Sequence, residues 1–240
     1  MIRFYFLLFI SYSVIGWIME TVLKSIEYKK LVNRGFLIGP YCPIYGCGAL
    51  LMTFLLQGYA EDPIVLFVFN IIICSILEYF TSYVMEKIFK ARWWDYSYTK
   101  YNINGRICLD TMIPFGLLGL VMMYVINPFI YKVYKYLDVN NNNFLNTFLI
   151  IILIIFLIDA VVSIITLLSI RKDNKLVEKD NTIEMSHKVI DKIKSRGFLY
   201  NRLLQAFPNF AHVGIELSKR AKRKIDKYNK KIEKIKNKYR

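Results

Sequence analysis

Apolar runs longer than a soluble core requires alternate along this chain with shorter segments dense in charge, glycine and proline. Helical runs are predicted over about 2–23, 64–85, 111–131 and 144–170, each close to or beyond the length that crosses a bilayer. A further apolar run, 43–56, is short. At 1.5 Å rise per residue it covers only about 21 Å of a ~30 Å hydrocarbon core. Either the Gly/Pro segment before it contributes depth, or the helix is broken or re-entrant. The pattern predicts an all-α integral membrane protein with about five transmembrane helices. Residues 1–170 form the membrane domain and 171–240 a basic, helical cytoplasmic tail.

Charge adds the orientation. Of 33 Lys and Arg, 21 lie from Arg171 onward against 8 of the 18 Asp and Glu, so the tail holds +13 of the formal +15. The loops after the first and third helices carry the remaining clusters of Lys and Arg, while 57–63 carries none. The positive-inside rule then gives an N-terminus outside, five spans and a C-terminus in the cytoplasm of a multi-pass cell-membrane protein. Lys132 and Lys135, in a fourth loop predicted to be a solvated turn ending in four asparagines, are a mild exception. Beside a membrane domain, a basic tail points to anionic lipid head groups as its partner and not to nucleic acid. A stripe of Ala221, Ile225, Tyr228, Ile232, Ile235 and Tyr239 predicts an amphipathic helix on the membrane surface or a short coiled coil there.

The segment from Asn33 to Gly48 is too rich in glycine and proline for a plain connector. Gly35, Gly39, Gly46 and Gly48 allow positive φ, while Pro40 and Pro43 remove donors. Together with Cys42 and Tyr45 they read as a loop and short-helix motif that re-enters the membrane edge. Free N–H groups would then face a negative partner: Glu78, a substrate anion or a lipid head group. A second unit repeats the plan. Glu20, Asn33, Arg34 and Pro43 of the first correspond to Glu78, Asn104, Arg106 and Pro114 of the second, a parallel pseudo-repeat of two-helix units.

Charged groups within apolar helices are the candidate chemistry. Glu20 lies close to the water, Glu78 lies deeper, and Asp159 is set in the most uniformly apolar helix. An ion path, a proton site or a buried pair with Arg34 or Arg106 would each account for them. Arg92, Asp95 and Arg106 would fix the third loop as a polar cluster, with Trp93-Trp94 as an interfacial anchor. Cys42, Cys47, Cys74 and Cys108 do not form a disulfide framework, and both histidines lie in the tail, so no metal or other cofactor is expected. No phosphate-binding glycine loop or hydrolase motif occurs, so the chain is not expected to be an enzyme.

Several runs carry a family resemblance: Gly16-Trp17-x-x-Glu20, 33–46, Glu78-Tyr79, Glu86, Trp93-Trp94-Asp95-Tyr96-Ser97 and 102–109. They resemble the signature of the bacterial ABC-transporter type IV permeases, CmpB-like integral membrane proteins. The resemblance covers about 4–131, with Ala206-Phe207-Pro208 as a tail match. It implies a permease subunit, a separate nucleotide-binding subunit on the cytoplasmic loops, and Glu20, Glu78 and the arginines along a path. A coupling-loop motif of the familiar importers is not evident. A homo-oligomer, a non-transporting scaffold with a partner-binding tail, and an enzyme at the cytoplasmic rim are the alternatives. Cysteine-accessibility mapping should place 29–42 and 93–108 on the same side of the membrane; opposite sides would eliminate the five-span topology.

Overall fold

The computed structural model describes residues 1–89, 93–180 and 197–206. Its helices are α1 (Ile2–Tyr28), α2 (Pro43–Leu56), α3 (Pro63–Phe89), α4 (Leu109–Val121), α5 (Asn127–Asn140), α6 (Asn142–Asp180) and α7 (Phe198–Ala206). A 3-10 turn, Gln57–Tyr59, follows α2, and a π-helical turn, Met122–Ile126, joins α4 to α5. Among the described residues four stretches are long and apolar enough to cross a membrane: Ile2–Glu27, Pro63–Phe89, Leu109–Asn140 and Asn142–Ser169. Their outward faces are apolar, with Ile64, Val68, Ile72, Ile76 and Phe80 exposed along α3 alone. Such a continuous apolar surface is stable only in lipid or against another subunit. The all-α membrane architecture is thus as predicted.

The short α2 is explained by its starting depth. The Cys42 amide donates to the Ser13 carbonyl at 2.8 Å, midway along α1. From there α2 runs antiparallel to α1, and Phe54 packs on Tyr5 with ring centroids 4.6 Å apart. The Gly/Pro segment therefore supplies the missing depth, and loop and helix together traverse the length of α1. The second unit does likewise over a shorter distance. A two-residue hairpin, β1 (Asn102–Ile103) on β2 (Ile107–Cys108), folds back along α3, so that α4 begins beside Tyr79 and Ser82.

The glycines act differently from expectation. Gly35, Gly39, Gly46 and Gly48 do not adopt positive φ; Asn104 (φ 54°) and Gly105 (φ 68°) do, as the hairpin turn requires. Gly46 is needed for space, because a Cβ there would lie 2.5 Å from the Phe9 carbonyl oxygen of α1. Gly116 and Gly119 serve the same purpose where α4 meets Phe67 and Asn70 of α3. Small residues let two backbones approach in a medium that offers no hydrophobic drive for association.

The fourth loop is corrected as well. Helix α5 continues through Lys132 and Lys135 to Asn140, and Asn141 alone breaks it from α6. Tyr134, Leu145 and Leu149 bury against one another across this break, which holds the preceding turn helical. At the same end Arg3 reaches Asp138 and Asn146 at 2.9 and 2.8 Å, pinning the start of α1 to the α5–α6 junction. The π turn precedes Pro128, which gives no N–H to the turn before it; the Met122 carbonyl also accepts from Tyr12 at 3.3 Å. The predicted stripe at 221–239 and Phe207-Pro208 lie outside the described residues.

Replacing Gly46 with alanine should cost about 1–3 kcal/mol through overpacking. Gly58→Ala, with open space around it, should be close to neutral. Thermal denaturation of the two variants in one detergent checks this.

Candidate functional site

At the end of the bundle opposite Arg3, the segments 29–42 and 93–108 meet the ends of α1, α3 and α7 and the middle of α6. The first segment is non-helical and bends through 36–40, so the backbone groups of its middle lack the partners a helix would supply. Two charged side chains supply them from opposite directions. Asp159 of α6 accepts from the Ile38 amide at 2.8 Å, the Gly39 amide at 2.6 Å and the Tyr41 and Ser163 hydroxyls at 2.8 Å each. Arg202 of α7 donates to the carbonyls of Leu37 at 2.7 Å, Phe36 at 3.0 Å and Gly35 at 3.2 Å. Asp159 and Arg202 are only 7 and 8% exposed, so both charges are largely withdrawn from water. Burial pulls the Arg202 guanidinium below its ordinary range, and the nearby Asp159 charge opposes that shift.

This corrects the reading of Asp159. It pairs with neither Arg34 nor Arg106, and it is the negative partner of the loop N–H groups, a role assigned above to Glu78, an anion or a lipid. A carboxylate receiving four donors is well solvated by the protein itself and does not need a mobile ion.

The rest of the first unit is an ordered polar chain. Arg34 faces Glu20 at 3.8 Å, and Glu20 accepts the Tyr45 hydroxyl at 2.8 Å. Asn33 receives the Trp17 indole N–H at 2.8 Å and the Gly35 amide at 3.2 Å. In the second unit Arg106 pairs with Glu86 at 2.8 Å, donates to Ser82 at 3.1 Å and lies over the rings of Tyr79 and Tyr83. Asn104 donates to the Tyr79 hydroxyl at 2.9 Å. Arg34 and Arg106 thus each meet a helix carboxylate, Glu20 and Glu86, and the expected pairing of either with Glu78 does not occur. Glu78 instead accepts the Tyr96 hydroxyl at 3.2 Å. Burial and the Glu78 charge push the Tyr96 phenol far up, so it remains a proton-bearing donor at any physiological pH.

The two loops touch. Trp93 is buried between Phe36 and Phe89, with centroid distances of 5.9 and 6.3 Å, and the Trp94 indole donates to the Arg106 carbonyl at 2.9 Å. The paired tryptophans therefore join protein segments and are not an interfacial anchor, because each finds a better partner within the protein than at the lipid edge. Asp95 caps the Ser97 amide at 3.0 Å, a local turn. Arg92 lies outside the described residues. Arg202, Tyr41, Tyr96, Ser82 and Glu86 complete the site; Ser82 and Glu86 fall on a four-residue polar spacing in α3, and no periodicity in the sequence singles out the other three. Among the described residues no group of His, Cys, Asp and Glu is arranged to hold a metal ion.

Apolar spans, helices that begin within the depth of their neighbours and a non-helical segment bonded inside the bundle define a multi-pass integral membrane protein. The chain belongs to the family described as "Putative ABC-transporter type IV", whose model matches residues 7–164. The match includes both loops and Asp159 and ends before α7. No curated protein and no solved structure matches the chain.

Asp159→Ala would leave two amides and two hydroxyls without their acceptor. We expect a loss of about 2–4 kcal/mol and faster maleimide labelling of Cys42 as the segment loosens. Asp159→Asn should rescue little, since one amide hydrogen would then face the two backbone donors. Thermal unfolding and labelling rates in detergent check both.

Proposed function

We propose that the protein is the permease subunit of an ATP-driven transporter. In this reading the two joined loops form a cytoplasmic platform on which a separate nucleotide-binding subunit docks. The observation that carries the reading is the rigid coupling of that platform to the spans. Segment 29–42 is fixed to α6 by Asp159, Arg34 to α1 by Glu20, and the hairpin to α3 by Arg106. A force applied to such loops is transmitted to the helices through these bonds. Family membership supports the same class. Tyr98 and Tyr101, 83 and 65% exposed at the tip of the second loop, are the groups placed to meet a partner. The substrate is not assigned.

One observation favours a second reading, a non-transporting scaffold. The groove formed by Ile38, Gly39, Tyr41, Ile155, Ile158, Asp159 and Val162 is shallow and open, about 330 Å³. Under the permease reading, therefore, a second copy or another membrane subunit completes the path. The structure offers no specific support to the third alternative, an enzyme at the rim.

Tagged protein extracted in mild detergent from its native membrane should retain a subunit that hydrolyses ATP. Tyr98→Ala with Tyr101→Ala should reduce its recovery several-fold while leaving thermal stability unchanged. A solitary protein with no associated ATPase activity would favour the scaffold.

A further inference from the structure

The ion pairs at the loop end leave the polar stripe of α3 unexplained. Asn70, Cys74, Glu78, Ser82 and Glu86 recur every four residues, so each lies about one turn from the next along the helix. The outer two are accounted for by Arg106, which pairs with Glu86 and donates to Ser82. Deeper in, partners run out. Glu78 is 7% exposed, and its Oε2 has no hydrogen-bond partner among the described residues. The same holds for both amide atoms of Asn70, which is 0% exposed, and for the hydroxyl of Ser75, one turn before Glu78. In α1, the hydroxyl of Thr21, next to Glu20 in sequence, is likewise buried and unbonded among the described residues. An orphaned buried polar atom costs about 1–3 kcal/mol, so each of these groups calls for a partner.

The surroundings of Glu78 define what it binds. The Glu20 carboxylate of α1 is close enough to act on it electrostatically, as are Tyr45 of α2, Cys74 of α3 and Tyr96 of the second loop. Cys42 and Arg34 border Glu20 and Tyr45, and Cys108 borders Tyr96. Among the described residues Arg34 is directed to Glu20, Arg106 to Glu86 and Arg202 to backbone carbonyls, so Glu78 is a buried carboxyl within electrostatic reach of a second carboxylate and paired with none of these cations. In a low-dielectric interior that arrangement favours the neutral acid. We propose that Glu78 is a proton-binding site of the membrane domain, taking up one proton at Oε2 and exchanging it with water at the loop end past Tyr96, Tyr45 and Glu20. This site goes beyond the permease reading and does not require it, since no nucleotide-binding partner takes part.

The test uses the full wild-type chain in lipid vesicles, treated with dicyclohexylcarbodiimide, an apolar reagent that modifies protonated carboxyls, and analysed by peptide mass spectrometry. Glu78 should be modified. Asp159, saturated by four donors, and Glu86, paired with Arg106, serve as internal controls and should be spared. Modification should fall by about tenfold per pH unit once most of the Glu78 carboxyls are ionised, and Glu20→Gln should shift that pH profile. A purely structural Glu78 would show neither the pH profile nor the shift. Absence of modification, equal modification of the three carboxyls, or an unchanged profile in Glu20→Gln would overturn the proposal. Protection by sodium at constant pH would also overturn it, by identifying a metal-cation site in place of a proton site.

Discussion

Backbone that enters a low-dielectric interior outside a helix must find a partner for its N–H and C=O groups, because lipid offers none. Segment 29–42 is where this chain meets that constraint. It descends beside α1 without helical hydrogen bonds, and its middle is bonded from both sides, by Asp159 on two amides and by Arg202 on three carbonyls. Each buried charge is thereby solvated by peptide dipoles in place of water. That mutual solvation makes affordable what either charge alone would not be. It also ties together parts of the chain that are far apart in sequence: the first loop, the last spanning helix and a helix within the tail.

The rest of the architecture follows from the descent. Since α2 begins at Ser13, a fourteen-residue helix suffices to reach the far end of α1. Since α2 packs backbone to backbone on α1, Gly46 stands where a side chain would strike Phe9. The second unit solves a milder version of the problem with a hairpin. There the strand pairing and the Asn104-Gly105 turn satisfy most of the backbone internally, and Arg106 is free to bind Glu86 and Ser82 instead of carbonyls. The two units thus share a plan, a long helix followed by a returning loop and an inset helix, while differing in how the loop is bonded.

This difference bears on function. Helices that begin inside the bundle, with polar side chains gathered around their starts, place chemistry at depth without exposing charge to lipid. The first unit uses its acids and bases to hold shape. In the second, Glu78 and the unbonded groups along α3 are left over after the structural pairs have been made. It is this remainder, and not the ion pairs, that distinguishes a working interior from a merely stable one.

Long apolar runs can only be membrane helices, so composition and periodicity alone determined the all-α membrane class and the placement of 2–23, 64–85 and 144–170 within the observed helices. The short span of 43–56 was legible too, since length against bilayer thickness is simple geometry. The Asn33-Arg34 and Asn104-Gly105-Arg106 motifs pointed correctly to the two loops, and Asn-Gly marked a turn. What sequence left open was pairing. An arginine among many in a basic tail, or an aspartate in a uniform apolar run, shows its partner only when the fold brings both to the same backbone segment. Hydrogen bonds to main-chain groups carry no signature in the residues that accept or donate them. For that reason the tertiary structure alone decided that Asp159 and Arg202 hold the first loop, that Glu86 and not Glu78 meets Arg106, and that Glu78 has an unbonded oxygen.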